Sequence, residues 1–76
     1  MPRKKRDIRR EYRDLGFQER QGKGDHRVYA HPLLREDYVV AGADGKDARD
    51  YDEGNLRKAK RALAQAQQQQ KGQNKP

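Results

Sequence analysis

Few side chains in this 76-residue chain can take up and release protons near neutral pH. His26 and His31 are the main candidates because an imidazole ring titrates in that range. Weaker candidates are the tyrosines, namely Tyr12, Tyr29, Tyr38 and Tyr51. The sequence contains no paired-carboxylate arrangement, phosphate-loop pattern or Ser-His-Asp set that we can place. The absence of cysteine excludes thiol chemistry, disulfides and thiolate metal sites.

A metal site built from Asp25, His26 and His31 is not expected. The two histidines are an odd number of positions apart. On one strand their side chains therefore point to opposite faces and cannot share a metal ion. We expect neither a metal nor another cofactor, which leaves proton transfer by a histidine as the available chemistry.

His26 directly follows a short turn whose composition suits a phosphate group. Gly22 and Gly24 lack side chains, so a backbone or a phosphate can come close, and Lys23 adds a positive charge between them. The adjacent Asp25 could favour the protonated imidazole. A histidine at the start of a strand is usually an ordinary structural residue, but this turn favours a functional role for His26.

The positive charge is concentrated towards the two ends of the chain. The formal net charge is +7 and the isoelectric point is near 10.0. Residues 1–24 carry nine Lys/Arg against four Asp/Glu, residues 25–53 carry four against eight, and residues 54–76 carry six against none. Basic surface of this density attracts nucleic-acid phosphates by releasing their counterions. The simpler alternative is a cationic surface that only keeps the protein in solution.

A first helix is predicted from about Arg6 to Leu15, capped by Asp7 at its start and followed by Gly16 at its end. Its apolar stripe consists of residues at helical spacing, namely Ile8, Tyr12 and Leu15. Four arginines are expected on the opposite, solvent-facing side: Arg6, Arg9, Arg10 and Arg13.

Three strands are predicted to follow, at Phe17–Arg20, His26–His31 and Glu36–Gly42. Because side chains alternate along a strand, Tyr29 is expected on one face of the second strand and His26, Val28 and Ala30 on the other. Because a large aromatic ring favours burial against the helices, we expect His26 on the open face of the sheet.

A second helix is predicted to start near Asp52 or Glu53, with a buried stripe of Leu56, Ala59, Leu63 and Ala66. The order of elements predicts an α+β fold with both helices on one face of a small antiparallel sheet. We expect a basic N-terminal extension at residues 1–5, one domain at residues 6–66 and a disordered Gln/Lys-rich tail at residues 67–76. No apolar run suits a membrane span or a secretory signal, so we expect a cytoplasmic protein.

Several short motifs, taken in order, resemble the HicA toxins of bacterial toxin–antitoxin systems. Those proteins run from a helix through glycine-phenylalanine to a basic turn ending in glycine-serine-histidine, then an apolar-aromatic pair and often histidine-proline. Their second helix commonly opens with leucine-arginine-lysine. The matching segments lie within about residues 7–66 and are Leu15-Gly16-Phe17, Arg20-Gln21-Gly22-Lys23-Gly24-Asp25-His26-Arg27-Val28-Tyr29, His31-Pro32 and Asn55-Leu56-Arg57-Lys58.

The resemblance implies a fold like the double-stranded-RNA-binding domain and activity as an RNA-cleaving toxin. It also implies a catalytic histidine, matched here by His26, and a neutralising antitoxin of the HicB type. Two features depart from the family pattern. Asp25 stands where serine is usual, and Arg9 and Glu11 stand where apolar residues are common.

These observations lead to the hypothesis of a metal-independent endoribonuclease that acts on messenger RNA. RNA supplies its own nucleophile, so His26 would move protons as general base or acid. The groups expected to hold the phosphate are Lys23, the backbone of Gly22 and Gly24, and Arg20, with Arg27 as a weaker candidate. The second proton-transfer group stays open between water, Tyr29 and His31.

Two alternatives remain at this point. A non-catalytic RNA-binding module would need only shape and phosphate contacts to hold a duplex. The basic segment Pro2–Arg6 could instead serve as a nuclear-import tract.

Overall fold

A helix, three strands and a second helix follow one another along the chain. The computed structural model describes residues 2–73. The elements are α1 (Lys5–Asp14), β1 (Gln18–Gln21), β2 (Arg27–Ala30), β3 (Tyr38–Val40) and α2 (Asp50–Gln73). The strands form an antiparallel sheet in the order β1-β2-β3. The predicted α+β order of helix, antiparallel sheet and helix is confirmed.

The register of the sheet separates two faces. Tyr29 of β2 lies between Glu19 and Tyr38, and this row faces the helices. One residue earlier, Val28 lies between Arg20 and Val39 on the other side. We call that side the open face, because Val39 is 43% exposed there. Tyr29 is fully buried, as the alternation predicted.

The core lies between the helices and the inner face of the sheet, and aromatic rings fill its centre. Tyr12 of α1 stacks on Tyr29 with ring centroids 4.7 Å apart, and the rings of Phe17 and Tyr12 form a T-shaped pair with centroids 5.3 Å apart. Both contacts add to the burial of large apolar surface. The remaining buried apolar residues are Ile8, Val40, Ala48, Leu56, Ala59 and Leu63.

Both ends of α1 follow from local sequence. The Asp7 carboxylate accepts a hydrogen bond from the backbone N–H of Lys4 at 3.1 Å, which satisfies a donor at the start of the helix. At the other end Gly16 has φ +94°, a conformation that side-chain-bearing residues rarely adopt. The predicted roles of Asp7 and Gly16 are confirmed.

Residues 3–5, which the sequence predicted as part of a basic N-terminal extension, pack against the rest of the fold. The Arg3 guanidinium bonds Glu11 and Glu53, and the Arg3 carbonyl accepts from Ala48 N at 2.6 Å. Lys5 is buried. Its ammonium group lies 2.9 Å from an oxygen of Asp52. Residues 3–5 therefore join α1 to the start of α2.

Helix α2 is longer at both ends than the sequence suggested. It begins at Asp50 and continues to Gln73, through much of the segment expected to be a disordered tail. Alanine and glutamine favour helix, and adding turns to a helix already held by packing is easier than starting one. Met1 and the last residues of that expected tail, 74–76, lie outside the described residues. Between residues 2 and 73, no helix has the length and apolar character needed to cross a membrane.

Candidate nucleic-acid interface

His26 lies at the end of a tight turn that closes on itself. The backbone N–H of Gly22 donates to the carbonyl of His26 at 2.9 Å, and the N–H of His26 donates to the carbonyl of Lys23 at 3.1 Å. Gly24 has φ +61°, which favours glycine at this position. The backbone of residues 22–26, called here the His26 turn, is therefore well defined, while the His26 side chain is exposed to solvent.

The His26 side chain is on the open face of the sheet, as predicted. A Cβ atom placed on Gly22 would lie 3.1 Å from His26 Cβ and 3.4 Å from Val28 Cγ2. Gly22, His26 and Val28 therefore share one face, opposite Tyr29. Because Gly22 has no side chain, the base of the imidazole can lie directly across the end of β1.

Arg9 corrects the prediction that all four arginines of α1 face solvent. It is 4% exposed, and its Nη1 bonds a carboxylate oxygen of Asp44. Its Nη2 donates to three main-chain carbonyls, those of Asp25, Val40 and Gly42. One guanidinium group therefore ties the His26 turn to the end of β3 and the loop that follows.

The helical spacing of the buried residues explains why Arg9 was misplaced. The inner face of α1 is formed by Lys5, Ile8, Arg9 and Tyr12, at positions i, i+3, i+4 and i+7. Two of these four residues are cationic, so a search for apolar residues finds only half of the face. The burial of Arg9 could have been predicted only from its helical spacing to Ile8 and Tyr12.

The predicted phosphate-binding residues do not all lie on the side of His26. Lys23 is exposed in the turn, and Arg20 is exposed on the open face, where it pairs with Asp37 at 3.0 Å. Arg27 alternates with His26 and Val28, pairs with Val40 in the register, and donates through Nη1 to the His26 carbonyl at 3.1 Å. Arg27 therefore supports the backbone of the turn from the other side.

The backbone amides of the turn are also not equivalent. Gly22 N–H already donates to His26, so this amide is not available to a phosphate. The amides of Lys23 and Gly24 have no hydrogen-bond partner among residues 2–73. Lys23 and Gly24 are therefore the better phosphate donors in this turn.

Neither protein group considered as a second proton-transfer residue shares a face with His26. The Tyr29 hydroxyl donates to Glu19, and burial together with that carboxylate raises the pKa of Tyr29 well above its ordinary value. His31 Nδ1 accepts from Leu33 N at 3.1 Å, and its ring packs against Phe17 with centroids 5.2 Å apart. Both residues have structural contacts, so water is the remaining one of the three candidates.

No group of three His, Cys, Asp or Glu side chains in residues 2–73 is arranged to hold a metal ion.

A concave pocket of about 740 Å³ lies away from His26, between the start of α1, the loop after β3 and the start of α2. We call it the basic pocket, because four cationic side chains line it: Lys4, Lys5, Lys46 and Arg49. Asp47 and the ring of Tyr51 complete its polar and aromatic walls. Its residues come from two stretches that are distant along the chain, residues 4–5 and 41–51, so the sequence alone did not reveal it.

No family model matches this chain, and no curated protein or solved structure matches it.

Proposed function

We propose that this protein binds RNA with its His26 turn and open face, and cleaves messenger RNA as a toxin of the HicA type. The observation that carries the proposal is an exposed histidine on the open face, at the end of a glycine-lysine-glycine turn. The backbone of that turn is held by Arg9 from the protein interior. A reactive side chain on a firmly held backbone is what catalysis of a phosphate reaction requires.

The chemistry can proceed without a metal because RNA carries the nucleophile. The 2′-hydroxyl attacks the adjacent phosphorus, and the bond to the 5′-oxygen of the next nucleotide breaks. The products are a 2′,3′-cyclic phosphate and a 5′-hydroxyl. His26 either accepts the proton of the 2′-hydroxyl or supplies a proton to the departing oxygen, and water serves the other step. Lys23 and the free amides of Lys23 and Gly24 stabilise the charge on the phosphate.

A second candidate function is a non-catalytic RNA-binding module. The observation in its favour is that Tyr29 and His31 both lie away from the face of His26. A protein that only holds RNA needs no second proton-transfer group. Both functions predict the same electrostatic attraction to RNA, but only the first predicts that the RNA strand is cut.

The experiment that separates them uses an end-labelled transcript and purified protein in the presence of EDTA. The proposal predicts shorter fragments ending in 2′,3′-cyclic phosphate, and binding that weakens steeply as salt rises. Binding without cleavage would favour the module. A nearly flat salt dependence, or no binding, would contradict both functions.

The proposed partner is an antitoxin of the HicB type that covers His26, in the cytoplasm where the messenger RNA is found. An acidic antitoxin would be steered to the cationic surface that attracts phosphate. It would also stabilise this small fold by mass action, by roughly 4 kcal/mol at a thousandfold excess over the dissociation constant. Co-expression with the neighbouring reading frame tests this idea. The predicted complex melts at a higher temperature and does not cut RNA, whereas a complex that cuts at full rate would contradict occlusion.

A further inference from the structure

The basic pocket contains positive charge that no ion pair among residues 2–73 neutralises. The ammonium group of Lys4 pairs with Asp47 at 2.7 Å, and that of Lys5 pairs with Asp52 at 2.9 Å. Lys46 and Arg49 have no ion pair among residues 2–73. Both are exposed. Two unpaired cations on the wall of one concavity favour an anionic occupant.

An exposed aromatic ring lies beside these cations. Tyr51 is 60% exposed, although large aromatic side chains contribute most when they are covered. The ammonium group of Lys5 lies 5.5 Å from the centre of the ring. A phenol ring with one free surface can stack on a nucleic-acid base, and such stacking tolerates any base.

The basic pocket is connected to the His26 turn through Arg9. The Nη2 atom that bonds the Asp25 carbonyl also bonds the carbonyl of Gly42, which lines the pocket. Gly42 in turn packs against Lys5, since a Cβ atom placed on Gly42 would lie 3.0 Å from Lys5 Cε. The backbone of the His26 turn and the wall of the basic pocket are therefore joined by the same side chain.

We propose that the basic pocket receives a further nucleotide of the RNA strand that reaches His26. Its phosphate lies against Lys46 and Arg49, and its base stacks on Tyr51. This inference rests on the proposed function and adds a second contact point for the same strand. It explains why two cations without an ion pair among residues 2–73 and an exposed ring occur together at this position.

The test measures the affinity of a fluorescent single-stranded RNA of about eight nucleotides, long enough to span several contacts. All proteins carry His26→Ala, so that the RNA stays intact during the titration. Lys46→Ala/Arg49→Ala is compared with Arg57→Ala/Lys58→Ala, which removes the same charge from exposed positions of α2 outside the pocket. The pocket variant is expected to bind at least about tenfold more weakly than this control.

A second set of variants tests the stacking contact. Tyr51→Phe keeps a ring and is expected to retain affinity, whereas Tyr51→Ala weakens binding by about tenfold. In Tyr51→Trp the indole emission is expected to fall when RNA binds, because the base stacks on the new ring. This chain has no other tryptophan, so the signal reports position 51 alone.

Equal affinities of the two double variants, together with unchanged indole emission, would overturn the pocket proposal while leaving the His26 proposal intact. Weakened binding by the pocket variants, in a protein whose unaltered form never cuts RNA, would support the pocket and contradict the nuclease function. Absence of RNA binding by the unaltered chain would overturn both.

Discussion

Arg9 Nη2 donates a hydrogen bond to the main-chain carbonyl of Asp25 at 3.0 Å, and Asp25 directly precedes His26. The same nitrogen bonds the carbonyl of Val40 at 3.1 Å. A buried residue of α1 therefore sets the position of the turn that presents the exposed histidine. The candidate site depends on an interior contact that lies on the opposite side of the sheet from its chemistry.

Arg9→Ala is predicted to lower the free energy of unfolding by roughly 2–4 kcal/mol, because it removes this donor from one buried and two partly buried carbonyls. Arg10→Ala, at the exposed neighbouring position, should change it by less than about 0.5 kcal/mol. Urea denaturation followed by circular dichroism measures both. Hydrogen exchange at the His26 amide should also accelerate in Arg9→Lys, since an ammonium group cannot reach all the carbonyls. Equal stability of the Arg9 and Arg10 variants would contradict this role.

Gly42→Ala is predicted to destabilise the protein by roughly 1–3 kcal/mol. Gly42 has φ +99°, and a Cβ atom there would meet the buried side chain of Lys5. Gly45→Ala in the same loop is the matched control, because a Cβ atom placed on Gly45 would meet no atom within 4 Å and the φ of Gly45 is not positive. The control should be neutral or slightly stabilising. Two variants with the same urea midpoint would show that the loop geometry is wrong.

Acid should weaken the contacts between the N-terminal segment and the two helices. Lys60 and Arg3 lower the pKa of Glu11, and Arg3 lowers the pKa of Glu53. A lowered folded-state pKa stabilises the fold above the ordinary value of 4.5, and this stabilisation is lost as the pH falls below it. Since the groups are partly exposed, the effect of each is roughly 0.5–1 kcal/mol.

Glu11→Gln tests the pH dependence directly. Its free energy of unfolding should be lower than that of the unaltered protein near neutral pH, and the difference should shrink as the pH falls below about 4.5. Glu36→Gln is the control, because Glu36 is exposed and has no ion pair among residues 2–73. A difference that grows on acidification would contradict the assigned ion pairs.

The parts of the fold that sequence predicted well depend on local patterns. Ile8 and Tyr12 fall at helical spacing, Gly16 supplies the left-handed residue after α1, and alternation along β2 separates Tyr29 from His26. Each pattern reports a contact with a nearby residue or with the core in general. A single sequence is enough to recognise these patterns, because they depend only on residue type and on the spacing of residues along a helix or strand.

The parts that sequence missed depend on pairs that are distant along the chain. Lys5 and Arg9 have the residue types of a solvated surface, and their burial makes sense only beside Asp52 and Asp44. Residues 25–53 contain eight acidic residues, and the sequence alone does not show which of them pairs with Lys5 or with Arg9. The basic pocket was missed for the same reason, because its cations lie at residues 4–5 and 46–49, far apart along the chain.

The central claim, that His26 transfers a proton during RNA cleavage, is tested most directly by the cleavage rate of His26→Ala at saturating RNA. The control is His31→Asn, which keeps an acceptor for Leu33 N and leaves the open face untouched. We predict that His26→Ala cuts at least about 100-fold more slowly than the unaltered protein while its RNA affinity and circular dichroism are nearly unchanged. The His31 variant should retain the rate. Equal cleavage by His26→Ala and the unaltered protein would contradict the catalytic role of His26.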